Sequence, residues 1–191
     1  EVSTDPPVGM LAGGNFDAPG FLNSQFVYNP SYLADLRWLF APSGIGNNST
    51  GGAGIGSAGS TWGSTAHTGN SFSFIQKGGY VEQTLENLTV GSQYAIRFYQ
   101  SSRNNNQAHS IRVNINGGQI FGPVGNQVGW AIRTTPLFTA TSPRMTLRFA
   151  GVSTGADRTS LIDSVELLPS SAAHDLRYNL LQMEVQPDST Y

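Results

Sequence analysis

The 191-residue chain has no cysteine, so no disulfide framework can carry its stability, and a hydrophobic core must do so. That is compatible with any compartment and does not exclude secretion. Charge is also scarce. Only 12% of residues are charged, the net charge is −2, and the ten Lys and Arg are scattered, which excludes the electrostatic footprint of a nucleic-acid binder. No apolar run approaches the roughly 20 residues that a membrane-spanning helix needs. Histidine is limited to His67, His109 and His174, far apart and without a zinc-type HxH or HxxxH pairing. The twelve acids show no paired carboxylates of the kind that hydrolyse glycosides. Gly54-Ile-Gly-Ser-Ala-Gly59 matches GxGxxG formally, but it follows no predicted strand and opens no helix, so it reads as a chance match. A non-enzyme is expected.

What is abundant points to an all-β protein. With 38% hydrophobic residues the chain can fill one core, and 23 glycines among many Ser, Thr and Asn favour a turn-rich β fold. Asn15-Phe-Asp17, Gln25–Tyr28 and Leu36–Ala41 are short strand candidates. Pro42 to Ser71 is Gly/Ser/Thr/Asn-rich and reads as a loop of about 30 residues, a length that is functional or mobile when it occurs in a compact domain. Phe72–Gln76 and Tyr80–Leu85 flank Lys77-Gly78-Gly79, a hairpin signal. Further on, Tyr94/Ile96/Phe98, Ile111/Val113/Ile115 and Met145/Leu147/Phe149 each alternate with polar or small residues. Asn116-Gly117-Gly118 marks a turn. Period-two patterning with one polar face predicts antiparallel sheets packed face to face, in a sandwich of about eight to ten strands. The predicted organisation is an extended arm over 1–11, a sandwich over 12–168 and a tail over 169–191. The first residue is Glu1 rather than Met, from which loss of a preceding leader is expected.

An ordered set of fragments carries a family resemblance: Asn15-Phe-Asp17, Trp38-Leu-Phe40 with Gly44-Ile45, Phe74-Ile-Gln76, Val81-Glu-Gln83, and Gly91-Ser-Gln-Tyr94. It continues through Arg103, Phe138-Thr-Ala140, Thr146–Gly151 and Leu161-Ile-Asp163-Ser-Val165. In this order the chain resembles the galactose-binding-like jelly-roll family of secreted bacterial surface and plant cell-wall proteins, which includes carbohydrate-binding modules. The resemblance implies a jelly roll, an extracellular setting, carbohydrate as partner, and a structural Ca²⁺ held by Asp17 and Asp163.

The residues themselves single out Asp163. Strand alternation puts it in phase with Leu161, Val165 and Leu167, on the apolar side, where an ionised carboxylate needs a cation, an arginine or several donors. With hydrogen bonds alone, no metal is required. For a sugar site, which pairs an exposed ring with amide and guanidinium groups, the candidates are Trp62, Gln76, Gln83, Arg103 and Asn105. Trp62 stands in a loop with no strand pattern to bury it, and a fold-back onto the core is its other reading. Trp38 reads as core and Trp130 as either. Asn47, Asn48 and Asn87 open N-glycosylation sequons that matter if the source is eukaryotic. The tail carries Leu176, Tyr178 and Leu180, then Leu181, Met183 and Val185. It reads as a bulged strand or as a helix capped by Ser171, packed on its own sandwich or on a neighbouring subunit. The expected function is a non-catalytic extracellular carbohydrate-binding or adhesion module. The alternative is a structural subunit of a filament, surface layer or virion, assembled as a homo-oligomer through the terminal arms.

Overall fold

The computed structural model describes residues 9–17, 25–30, 37–41, 51–61, 65–103, 109–125, 127–152 and 158–170. Trp62, Asn105, Asn47, Asn48, His174, the arm before residue 9 and the tail from residue 171 lie outside them.

Among the described residues twelve strands run in chain order: β1 Phe26–Tyr28, β2 Leu39–Phe40, β3 Gly52–Ser57, β4 Ser71–Gln76, β5 Tyr80–Leu85, β6 Gln93–Ser102, β7 Ser110–Ile115, β8 Gly118–Gly125, β9 Ala131–Thr134, β10 Phe138–Thr139, β11 Met145–Gly151 and β12 Thr159–Pro169. Two antiparallel sheets result. One has the order β1-β3-β4-β12-β6-β10, with β9 also on β6; the other is β2-β5-β11-β7-β8. The chain passes from sheet to sheet at most connections and places the last long strand in the middle of the larger sheet, which is jelly-roll topology. The antiparallel sandwich that the alternation predicts is therefore the fold.

The main core fills the space between the sheets. Tyr94, Ile96, Phe98, Ile111, Val113, Leu147 and Phe149 are all fully buried there, on the faces that the period-two pattern assigns inward. Phe98 and Phe149 meet edge-on, ring centroids 4.9 Å apart at 72°, a geometry that adds about 1 kcal/mol to the area they bury. Trp38 joins this core against Phe16, its Nε1–H donating to the Gly13 carbonyl. A second apolar cluster lies on the outer face of the larger sheet, where Phe72, Phe74 and Leu161 meet Tyr28, Ala66 and Trp130. Every residue of β4 is consequently buried, as expected of a strand covered on both faces.

Three local expectations are corrected. Asn15-Phe-Asp17 is a turn and not a strand, with Phe16 held at φ 52° by its burial against Trp38. The 42–71 segment is not one loop: Gly52–Ser57 forms β3, wholly buried between β1 and β4. Glycines at alternate positions hide it from hydrophobic patterning, and Gly54 is needed because a Cβ there would overlap the Val27 carbonyl and the Phe74 ring. The GxGxxG match is therefore mostly a sheet strand. Lys77-Gly78-Gly79 is not a hairpin turn either. β4 pairs with β3 and β12, β5 pairs with β2 and β11, and the turn carries the chain from one sheet to the other. By contrast, Asn116-Gly117 does close a hairpin, between β7 and β8.

Candidate functional site

The site begins with a fault in β12. Leu161 lies in the outer cluster and Ile162 in the main core, so Asp163 falls outward in register. The pairing with β6 then shifts between Asp163 and Glu166, and Ser164 takes φ 50°. This bulge returns Val165 to the core side. Asp163 is thus in phase with Leu161, as alternation predicts, but not with Val165 or Leu167, because the bulge intervenes. It is fully buried nonetheless.

What buries Asp163 is the 65–70 segment laid across the outer face of the sheet. Asp163 Oδ2 accepts the main-chain N–H groups of His67 at 2.7 Å and Thr68 at 3.0 Å, and Oδ1 accepts that of Ser164 at 2.6 Å. Asp17 grips the other end of the segment, its Oδ1 accepting the Asn70 N–H at 2.8 Å while Asn15 Nδ2 donates to Oδ2 at 2.8 Å. Gly69, at φ 62°, is required between them, since a Cβ would overlap the Asp17 carboxylate. Burial pushes the Asp163 carboxyl up to about 7. Its three N–H donors pull the other way, and the nearby Asp17 charge adds to the rise.

Beside this clamp opens a cleft of about 450 Å³. The His67 ring lies flat on Tyr99, centroids 3.5 Å apart and 18° from parallel, and Trp130 meets His67 edge-on at 6.2 Å. Trp130 is anchored by its Nε1–H donating to the Thr65 carbonyl at 2.9 Å. One wall of the cleft is polar: Arg97 donates through Nε to Glu166 at 2.8 Å and also through Nη2. Across β9, Ile132 pairs opposite Tyr99 and Thr134 opposite Arg97, which extends the face with an exposed apolar side chain next to a polar one. The arrangement offers half-buried rings with hydroxyl, amide and guanidinium groups at their edges, the surface chemistry that matches a sugar's C–H face and hydroxyl rim.

The residues singled out in the sequence are distributed unevenly around this site. Asp17 and Asp163 are brought together on one segment. Gln76 is buried at the end of β4 in the same sheet and accepts a hydrogen bond from Tyr28. Arg103 lies close by, its N–H donating to the Thr159 carbonyl beside Gln76. Gln83 belongs to the other sheet, where its amide exchanges two 2.8 Å hydrogen bonds with the Ala12 main chain. Asn87 is an exposed turn residue at φ 54°. Sequence reasoning missed His67, Tyr99 and Ser164. Tyr99 carried a signal, standing with Arg97 on the outward phase of β6. His67 carried none, because it reaches the sheet only through a segment without periodicity.

Calcium takes six to eight oxygen ligands, and two carboxylates supply only part of that shell. Here Asp163 is already engaged by three N–H donors, and the described residues contain no group of three acids or histidines able to hold a metal. The donor set of the described residues does not complete a calcium site. His109 and Ser160 form a second polar pair, Nδ1 to Oγ 3.1 Å, with His109 Nε2 at 2.8 Å from the Lys77 carbonyl. Both residues are fully buried in the interior, so they brace the 77–79 turn and no substrate reaches them. Burial lowers the His109 pKa to about 4.

The fold is the jelly-roll sandwich of carbohydrate-binding modules. The chain is similar to the C-terminal family 22 carbohydrate-binding module of Clostridium thermocellum Xyn10B, at 12% identity and TM-score 0.51, over 78% of this chain and 97% of that one. It is also similar to the sugar-binding C-terminal domain of EclA (20% identity, TM-score 0.41), of which it spans 64% with 45% of its own length. A third similar structure is the carbohydrate-binding module CBM36 in complex with calcium and xylotriose, at 14% identity and TM-score 0.39, over 50% of this chain and 78% of that one. The likeness of fold rests on the first of these. No family model and no curated protein matches the sequence.

Proposed function

We propose that this protein is a non-catalytic module that binds an uncharged saccharide on the outer face of its larger sheet, in an extracellular setting. The observation that carries the reading is the stacked His67–Tyr99 pair beside Arg97 and Glu166 in an open cleft. An uncharged sugar is favoured because the one guanidinium lining the cleft is engaged by Glu166, while Asp17 and the ionisable Asp163 stand next to it. A uronic acid would meet no unpaired cation among the lining residues. Arg103 stands at the end of β6 in the same sheet and extends the proposed surface, and Trp62 and Asn105 are proposed as its further ring and amide; Gln76 and Gln83 are both buried and present no surface to a sugar. Modules that bind this way hold their ligands at micromolar to millimolar strength, about 4–8 kcal/mol. Titration calorimetry with xylotriose, other neutral oligosaccharides and trigalacturonate tests the reading. Heat is expected from a neutral ligand, to be lost in Tyr99→Ala. Silence from every saccharide at millimolar concentration overturns it.

The acidic pair supports a second proposal, a structural calcium ion at Asp17 and Asp163. A cation would offset the burial cost that chiefly raises the Asp163 pKa and the smaller repulsion from Asp17, with ligands drawn from outside the described residues. The competing reading, which we favour, is that the pair works by hydrogen bonds alone. Assembly is also kept as a proposal: β9 pairs only with β6 among the described strands and carries Ile132, 52% exposed, near Val128, 58% exposed. A homo-oligomer built through that edge or through the terminal arms, as in a filament, surface layer or virion, would sediment above monomer mass, and deletion of 172–191 would return it to monomer if the tail is the link.

A further inference from the structure

Asp163 fixes the main chain of the 65–70 segment but does not touch the His67 ring. The ring is held by Ser164, whose Oγ lies 2.9 Å from His67 Nδ1 and 2.9 Å from Thr68 Oγ1. Ser164 is in reach of both only because β12 bulges there, which puts two consecutive side chains, Asp163 and Ser164, against the same segment. The bulge sets Ser164 at φ 50°. A left-handed non-glycine residue costs about 1–2 kcal/mol, and glycine would remove that cost, so the hydroxyl stands where the backbone alone would favour its absence. Strain of this kind collects at sites where geometry is functional.

We propose that Ser164 is the positioning residue of the cleft. Its hydroxyl ties the imidazole of His67 flat onto Tyr99, and the tied ring pair is the surface on which the saccharide packs. The backbone latch and the ring latch are separate: Asp163 holds the segment down, and Ser164 selects the rotamer of the ring it carries. Without the hydroxyl, His67 retains its N–H bond to Asp163 but loses the restraint on its side-chain torsions. The saccharide part of this claim rests on the function proposed above; the ring part does not.

Ser164→Gly separates the two. Glycine accepts the left-handed backbone without strain, so the melting temperature should stay the same or rise. Nuclear magnetic resonance should show the His67 ring protons losing the ring-current shift that Tyr99 imposes in the wild type. The dissociation constant for whichever neutral oligosaccharide binds the wild type, tested first with xylotriose, should rise about tenfold, the equivalent of one hydrogen bond at about 1.4 kcal/mol. Ser164→Ala should give the same loss of shift and affinity with a lower melting temperature. Unchanged His67 shifts in both variants overturn the proposal whatever the sugar result. If the shifts collapse while the wild type binds no saccharide, the ring-positioning role stands and the saccharide reading falls.

Discussion

Asp163 and His67 are 96 positions apart in the chain, yet the main-chain N–H of His67 donates to the Asp163 carboxylate at 2.7 Å. A buried acid on the last long strand thereby fastens the 65–70 segment, which has no periodic signal of its own. Replacing Asp163 with Ala leaves three N–H groups without an acceptor, and at about 1–3 kcal/mol for an unsatisfied buried donor the loss should exceed about 2 kcal/mol. Asp163→Asn keeps one oxygen but turns an amide N–H toward another N–H, so it should be destabilising by a smaller amount. Urea denaturation orders the two. An alanine variant as stable as wild type would show that the segment is held elsewhere.

Chelation addresses the cation. If Asp17 and Asp163 bind calcium and the ion is present at 100 times its dissociation constant, it stabilises the native state by about 2.7 kcal/mol. For a chain of this size that corresponds to a fall of about 5–10 °C on chelation. Clamping by hydrogen bonds alone predicts no change, and that is the expected outcome. A drop within the calculated range would establish the ion.

The His109 pair makes stability depend on pH in a defined direction. Burial lowers its pKa in the folded state to about 4, below the ordinary value of 6.5, so the unfolded chain takes up the proton first as pH falls. The contribution is complete above pH 6.5 and is lost as pH drops through 6.5 toward 4, by up to about 3 kcal/mol. His109→Gln keeps an N–H donor for the Lys77 carbonyl and cannot titrate. The variant should be less stable than wild type at pH 7, with the gap narrowing toward pH 4. A gap that is constant with pH would mean that His109 titrates normally in the folded protein.

The sheets were legible because they obey period two. Ile111, Val113 and Ile115, or Met145, Leu147 and Phe149, had to share a face, and they do. β3 was illegible because Ile55 is its one large apolar residue and the rest is Gly, Ala and Ser, which carry little hydrophobic signal while fitting tightly under Phe74 and β1. The turn at Lys77 was misassigned because a Gly-Gly pair allows a sharp reversal without saying whether the next strand pairs with the last or crosses to the other sheet. That choice is made by the outer apolar cluster, which needs β4 inside the larger sheet. For the site, the misfit of one acid in an apolar phase led to Asp163. The ring that it helps to place could not be read, since its contact spans segments related only by the fold.

Gly69 provides the most direct check on how the two carboxylates hold the segment. At φ 62° an alanine is strained by about 1 kcal/mol, and its Cβ would overlap the Asp17 carboxylate, adding an overpacking cost of about 1–3 kcal/mol. Gly69→Ala should therefore destabilise by about 2–4 kcal/mol and loosen the 65–70 segment, seen as faster amide exchange at His67 and Asn70. Gly78→Ala is the control, because a Cβ there meets nothing within 4 Å, and its effect should stay within about 0.5 kcal/mol. Equal effects at the two glycines would mean that Asp17 does not close on the segment as the structure shows. A loss confined to Gly69, with Asn70 exchanging faster, would confirm that the acid bears on it directly.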